Sequence, residues 1–514
     1  MRRPSYPLLV LWSAALILLV AGLFGSWAPG ASAAVPSAGG VAAAAPLPAT
    51  PAGPTLSTVE EVQAPTGQLG GIGRSLDTSM MDRARSLLGL LLLGGVAWGF
   101  STHRSRIDWR LVAWGVGLQL AFAVFILKTP LGEDIFSAVN QVVVALLGFT
   151  VDGARFIFGD LVYNSVPVGE GVAGSNAPVA IEPGQVAQTG AFFAFNVLPT
   201  IIFFSSLMTV LYHLGIMQVV VKAMAWVMQR TMGTSGAETL SAAGNIFVGQ
   251  TEAPLLIKPF VSSMTRSELM AVMTGGFATV AGGVLAAYVG MLVAFFPDIA
   301  GHLMAASVMS APAALVCAKL LLPETEIAKT AGTLEVHVER PDANVIGAAA
   351  RGASEGLALA LNVGAMLLAF IALIQLLNAL LGWGGGLVGL EGFTLEGLLG
   401  AILAPVAWLM GVPWQDARVV GELMGLKTVL NEFVAYLQLS NILSGGTPLQ
   451  PRSIIIATYA LSGFANFSSI AIQIGGIGGI APERRSDLSR LGLRAMVGGS
   501  IAAFMTATVA GMLV

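Results

Sequence analysis

Gly244-Asn-Ile-Phe-Val-Gly-Gln-Thr-Glu-Ala-Pro254 decides how this chain is read. Its middle is polar, yet apolar sequence flanks it on both sides. Asn245, Gln250, Thr251 and Glu252 fall within eight residues. A carboxylate at membrane depth costs roughly 2.5 kcal/mol or more, so it marks a task. Gly244, Gly249 and Pro254 interrupt helix on either side of the carboxylate. Unwound backbone at that depth survives only where protein buries it or where it lines a wet cavity. The stretch therefore reads as the tip of a re-entrant helical hairpin that touches a polar solute. The competing reading is a water-exposed loop between two helices.

Composition fixes the class around that stretch. The chain has 514 residues, 55% hydrophobic and 10% charged, with mean hydropathy +0.80. A soluble domain carries about 25% charged residues. The deficit points to an all-α polytopic membrane protein. The 63 glycines suit close helix packing in lipid. A net charge of −3 gives no footprint for nucleic acid. Cys317 is the single cysteine, which excludes an intrachain disulfide and a cysteine zinc site. No His-x-x-x-His or Glu-x-x-His pair is present, which argues against a metalloenzyme.

The order of segments gives a topology. Arg2 and Arg3, an apolar run from Leu8 to Phe24, and Ala31-Ser-Ala33 read as a secretory leader over 1–34; an uncleaved first span is the alternative. Residues 35–82, rich in Ala, Pro and Gly, read as a disordered tether. Scaffold spans and interfacial helices occupy 83–232, and a first hairpin, a broken helix and a further span occupy 233–322. A connector and scaffold span cover 323–397, with Gly382–Gly397 read as an external loop. A second hairpin, broken helix and last span cover 398–514. Eight crossings are expected: Ser86–Thr102, Leu111–Lys128, Ala191–Tyr212, Leu269–Phe296, Ala305–Leu322, Ala350–Leu381, Arg452–Ile480 and Leu491–Val514. Asp134–Phe158 is amphipathic and expected at the interface, and Gly159–Gly190 is expected to be an outer loop. The basic loop His103–Arg110 places its side in the cytoplasm, so both termini are expected outside the cytoplasmic (inner) membrane.

A repeat supports the hairpin reading. Ala225-Trp-Val-Met228 matches Ala407-Trp-Leu-Met410, and Glu252 and Glu432 follow those tryptophans by 26 and 24 residues. Gly276-Phe-Ala278 and Gly463-Phe-Ala465 follow in turn. Counting crossings between the copies makes them antiparallel. Inverted repeats with discontinuous helices meeting near the midplane are the architecture of secondary transporters.

Glu252 and Glu432 are then expected to face the centre. With Gln250, Thr251, Asn466 and Ser469 they form a pocket rich in hydrogen-bonding groups and poor in fixed positive charge. Such a pocket suits a neutral polyhydroxylated or heterocyclic solute. Lys258 and Lys427 are expected to pair with the glutamates or snorkel. Phe464 offers an aromatic wall or packs. Asn245 and Thr279, beside unwound backbone at Val248 and Val280, suit a hard monovalent cation such as Na+, or serve only in helix packing.

The chain resembles the concentrative nucleoside transporter family from about Arg83 to Val514. The resemblance is strongest at Gly244–Pro254, Asn431-Glu-Phe-Val-Ala-Tyr436 and Gly463-Phe-Ala-Asn-Phe-Ser-Ser469. It implies eight spans with two re-entrant hairpins in each protomer of a homotrimer. It implies that Gly249, Gln250, Thr251 and Glu252 line the nucleobase side, and that Glu432, Asn466 and Ser469 hold the ribose beside Phe464. Asn245, Thr279 and the carbonyls of Val248 and Val280 match the family's sodium site, with Thr279 where a serine is common. The expected function is a cation-coupled symporter importing nucleosides, with Na+ as the coupling ion and H+ as the alternative. An intramembrane enzyme using the two glutamates and a passive channel are the rival readings.

Overall fold

A computed structural model describes residues 78–163, 165–170, 180–188, 193–332, 342–387, 389, 392–445 and 449–514. The leader and nearly all of the tether lie outside the described residues. The first helix, α1 (Met80–Gly99), starts at Ser79, whose side chain accepts from the amide of Asp82. α2 (Trp109–Lys128) starts in the same way at Asp108. α3 (Pro130–Phe158) follows Thr129, with proline in the first turn, where its missing N–H has no cost. Next come α4 (Leu198–His213) and α5 (Ile216–Met232).

The expected outer loop is not irregular throughout. It contains an antiparallel ribbon, β1 (Ser165–Glu170) and β2 (Ala180–Gln188), with Ser165 opposite Gln188 and Glu170 opposite Ala180. The other regular elements among the described residues are helices.

The first hairpin follows Gly233, which turns the chain at φ 70°. Its inward arm is α6 (Gly236–Gly244), opened by a capping box between Ser235 and Glu238. At nine residues, α6 is about 14 Å long, too short to cross a 30 Å core. The return arm is a tight 3-10 turn, Ala253–Ile257, then Lys258–Val261. The broken span comes next as α7 (Arg266–Ala278) and α8 (Gly282–Leu292). α7 has its own capping box, Thr265 with Glu268, and the Ser235 hydroxyl donates to Glu268 at 2.6 Å. The hairpin and the broken span therefore start side by side.

α9 (Ile299–Leu321) and α10 (Val345–Leu387) follow. α10 is 43 residues long and runs into the stretch expected as a glycine-rich loop, as far as Leu387. Glycine weakens a helix by only about 1 kcal/mol per residue, which the surrounding apolar sequence outweighs. α11 (Leu395–Met410) then bends by 118° into α12 (Trp414–Val429), with Gly411 and Pro413 at the corner. The second hairpin is α12 with α13 (Glu432–Ser444). α14 (Pro451–Leu461) and α15 (Phe467–Ile480) form the second broken span, and α16 (Arg485–Leu513) closes the described chain. Trp226 lies on α5 and Trp408 on α11, each on the helix before its hairpin. The repeated unit is thus a helix, a hairpin and a broken span.

Seven described helices are long and apolar enough to cross a membrane, or eight with the bent pair α11–α12 as one span. That set includes α3, which was expected at the interface. The geometry sets α3 along one side of the bundle. Asn140 on α3 donates to Pro297 O and accepts from Gly301 N, at the start of α9. Phe158, at the other end, packs on Phe195 just before α4. The starts of α4 and α9 lie on one side, because α8 runs back along α4 and feeds α9, and Tyr288 of α8 and Phe193 before α4 share Phe433. α1, expected as a crossing, is not in that set; it carries Asp82, Arg83 and Arg85 in its first turns. Arg85 neutralises part of that cost by stacking over Trp408 at 5.0 Å and donating to Gly411 O.

Burial separates two layers. The most apolar window of α9 is 89% buried, that of α10 only 22%. α9 and α16 form the core against the hairpins and broken spans, while α10 presents a leucine-rich face outward and α2 and α4 are mostly unburied. In lipid such faces need no cover.

Candidate functional site

The two broken spans touch at their breaks. Gly463 adopts φ 109°, and a side chain there would lie 2.8 Å from the carbonyls of Phe277 and Ala278. Glycine is required at this contact both for space and for conformation. Around it the polar residues of the hairpin tips converge.

Asn466 caps α15, its Oδ1 accepting from Ser469 N at 2.9 Å. Its Nδ2 donates to Glu432 Oε2 at 3.0 Å. Glu432 opens α13, where the positive end of the helix favours a carboxylate. Tyr288 on α8 donates to its other oxygen at 2.9 Å. Gln250 on the first tip donates to Ser469 Oγ at 3.1 Å and accepts from Gln473 at 3.0 Å. A continuous polar relay thus links the first tip, α15 and the second tip. Phe464 is half-buried beside it.

Thr251 donates to Glu252 Oε1 at 3.0 Å, and Gly249 leaves room for that carboxylate. Glu252 opens into a cavity of about 360 Å3 between the first tip, the start of α8, and helices α4 and α10. Its side chain is exposed on that cavity. The opposite wall carries Thr209, Tyr212, Asp342, Arg351 and Glu355. Arg351 holds Asp342 through bonds of 2.9, 3.1 and 2.7 Å and Glu355 through one of 2.8 Å. Those bonds keep the Asp342 carboxyl below the usual carboxylate range.

The two glutamates differ from expectation in one respect: only Glu252 lines the cavity. Tyr288 and Asn466 cover both oxygens of Glu432, which is buried. Nor does Lys427 pair with Glu432 or snorkel. It is fully buried and donates to the carbonyl of Ala460. Tyr288, Gln473 and the Arg351 cluster were missed in sequence. Gln473 had a signal, a lone amide within Ile470-Ala-Ile-Gln-Ile474.

Asn245 sits where α6 ends and against Gly275 near the end of α7. Its Nδ2 donates to Ser241 O at 3.1 Å, and its buried Oδ1 has no hydrogen-bond partner among the described residues. Thr279, at the end of α7, donates to Gly275 O at 3.0 Å and leaves its lone pairs free. Val248 and Val280 flank these residues on the tip and in the break. An unpartnered buried amide oxygen between two helix C-termini fits a hard cation.

Comparison with known proteins settles the family. Profiles described as Na+ dependent nucleoside transporter N-terminus and C-terminus match residues 88–161 and 302–511, and one described as nucleoside recognition gate matches 194–295. An uncharacterised transporter of Haemophilus influenzae is 44% identical over 437 residues, 84% of this chain and 98% of its own. The chain belongs to the concentrative nucleoside transporter family. Sodium/nucleoside cotransporter 1 of Rattus norvegicus is 42% identical over 453 residues, 85% of this chain and 65% of that protein. The chain is also similar to the structure of CNTnw in an inward-facing substrate-bound state, with TM-score 0.74 and 41% identity over 84% of this chain and 98% of that one. A doubly substituted CNTnw in an outward-facing state matches with TM-score 0.75, 41% identity and the same coverage. The relatives are multi-pass membrane transporters, and membership makes this chain a nucleoside transporter rather than an enzyme.

Proposed function

We propose that the chain is a Na+-coupled symporter that imports nucleosides across the cytoplasmic membrane as a homotrimer. The observation that carries this is the relay Gln250–Ser469–Asn466–Glu432 beside the unpartnered Asn245 oxygen. The relay offers amide, hydroxyl and carboxylate groups that match sugar hydroxyls and base edges. Gly249, Gln250, Thr251 and Glu252 take the base; Glu432, Asn466 and Ser469 take the ribose; Phe464 walls it. Asn245, Thr279 and the carbonyls of Val248 and Val280 take Na+. One charge moving down 100 mV supplies about 2.3 kcal/mol, enough for about fifty-fold accumulation. Residues 1–34 serve as a leader and 35–82 as a tether outside the cytoplasm, both termini lying on that side. Proton coupling is a second reading, favoured by Glu252, whose carboxylate opens on the cavity. Proteoliposomes decide between them: uridine should accumulate under an inward Na+ gradient and not under a proton gradient in choline. Accumulation indifferent to Na+ removes the first reading.

A further inference from the structure

In each half of the molecule the C-terminal ends of two half-helices approach a helix break. They are α6 and α7 in the first half, and α12 and α14 in the second. Such ends carry unpaired carbonyls and about half a negative charge each. The side chains that bond to carbonyls at these ends in the first half, Asn245 to Ser241 O and Thr279 to Gly275 O, are neutral.

The second half is filled differently. Lys427, in the last turn of α12, lies wholly inside the protein. Its ammonium donates to Ala460 O at 2.9 Å, reaches Ser462 O at 3.5 Å, and lies 5.6 Å from the ring centroid of Phe504. It makes no ion pair among the described residues. The same turn of α14 receives neutral donors as well: Tyr436 to Thr458 O at 2.7 Å and Ser462 to Tyr459 O at 2.7 Å. A buried ammonium without a carboxylate is costly. Helix capping alone would be met more cheaply by another hydroxyl. Lys427 lies five residues before Glu432, and Ser462 lies four before Asn466, so one charge pins both arms that present the ribose-side pair.

The structure assigns to Lys427 the part of a built-in cation, holding in the second half the position that the coupling ion holds in the first. It is a positioning residue for Glu432 and Asn466. The comparison with the first half rests on the Na+-coupled reading; the contacts of Lys427 do not.

The test uses the full chain in detergent, with uridine binding and Na+-dependent thermal stabilisation without nucleoside read separately. Lys427→Met should weaken uridine binding about tenfold or more while moving the Na+ midpoint less than about twofold. Lys427→Ala should recover affinity in methylammonium and not in tetramethylammonium. A folded Lys427→Met that binds uridine like the parent, or an Ala variant that methylammonium does not restore, overturns the assignment. If neither neutral variant folds, Lys427→Arg decides: affinity within about tenfold of the parent supports the charge, and a larger loss overturns it. Should Na+ stabilise not even the parent, the coupling reading fails, and the uridine arm still reports on Lys427.

Discussion

Gln250 on the first hairpin donates to Ser469 on the second broken span at 3.1 Å, across 219 residues of chain. The bond ties together two elements that no local sequence preference would bring into contact. Gln250→Ala and Ser469→Ala should each weaken uridine binding, and the double variant should lose less than their sum. A coupling of about 0.5–1.5 kcal/mol is expected from a double-mutant cycle read by calorimetry. Strict additivity would mean that the two groups act on uridine independently.

Glu432→Gln keeps the shape and removes the charge that Tyr288 and Asn466 address. Uridine affinity should fall about tenfold to a hundredfold, since hydrogen bonds to a charged group contribute about 1.5–3 kcal/mol. Equilibrium binding on purified protein checks this, and unchanged affinity would remove Glu432 from the ribose side.

Asn245→Ala deletes the unpartnered oxygen between the ends of α6 and α7. The sodium concentration for half-maximal uptake should rise about threefold to tenfold, with the uridine requirement at saturating sodium nearly unchanged. A sodium curve identical to the parent's would favour proton coupling.

Gly463→Ala forces a side chain into φ 109° and against the Ala278 carbonyl. A loss of about 2–4 kcal/mol is expected, seen as a lower melting temperature and poor recovery of folded protein. An alanine variant of ordinary stability would show that the two breaks can separate.

Asp342 is held below its usual range by Arg351, so its folded value is depressed relative to the unfolded chain. The bond is then present above the unfolded value, about 3.9, and is lost only as pH falls further through the folded value. Asp342→Asn should therefore leave the shape of the uptake-versus-pH curve unchanged between about pH 5 and 8. A curve that flattens in the variant would assign that titration to Asp342 after all.

Much of the fold was legible because lipid imposes simple rules. Apolar length marks crossings, and glycine and proline mark breaks, so Gly244–Pro254 and Gly463–Ser469 could be placed as a tip and a break. The repeat anchored by Trp226 and Trp408 was legible, yet α11 was merged with the second hairpin, because Gly411 and Pro413 resemble its interior glycines in sequence. α10 was cut short because its final glycines read as a loop. In the site, the tip polar groups were readable from their cost in lipid. Tyr288 and Gln473 were not, since a single polar residue on an apolar helix has no local signature. Lys427 was misread because its partners are carbonyls, which carry no trace in the side-chain sequence.

The contact of Gly463 with Ala278 has a consequence for motion. Two half-helices locked at their kinks, and bonded through Gln250 and Ser469, leave little freedom for one repeat to rock against the other. In the transport cycle we propose, the cargo compartment travels as a single piece, carrying its own walls past the outer helices. The slip plane is then the boundary facing α4 and α10, where Glu252 already looks across open space at Arg351 and Glu355.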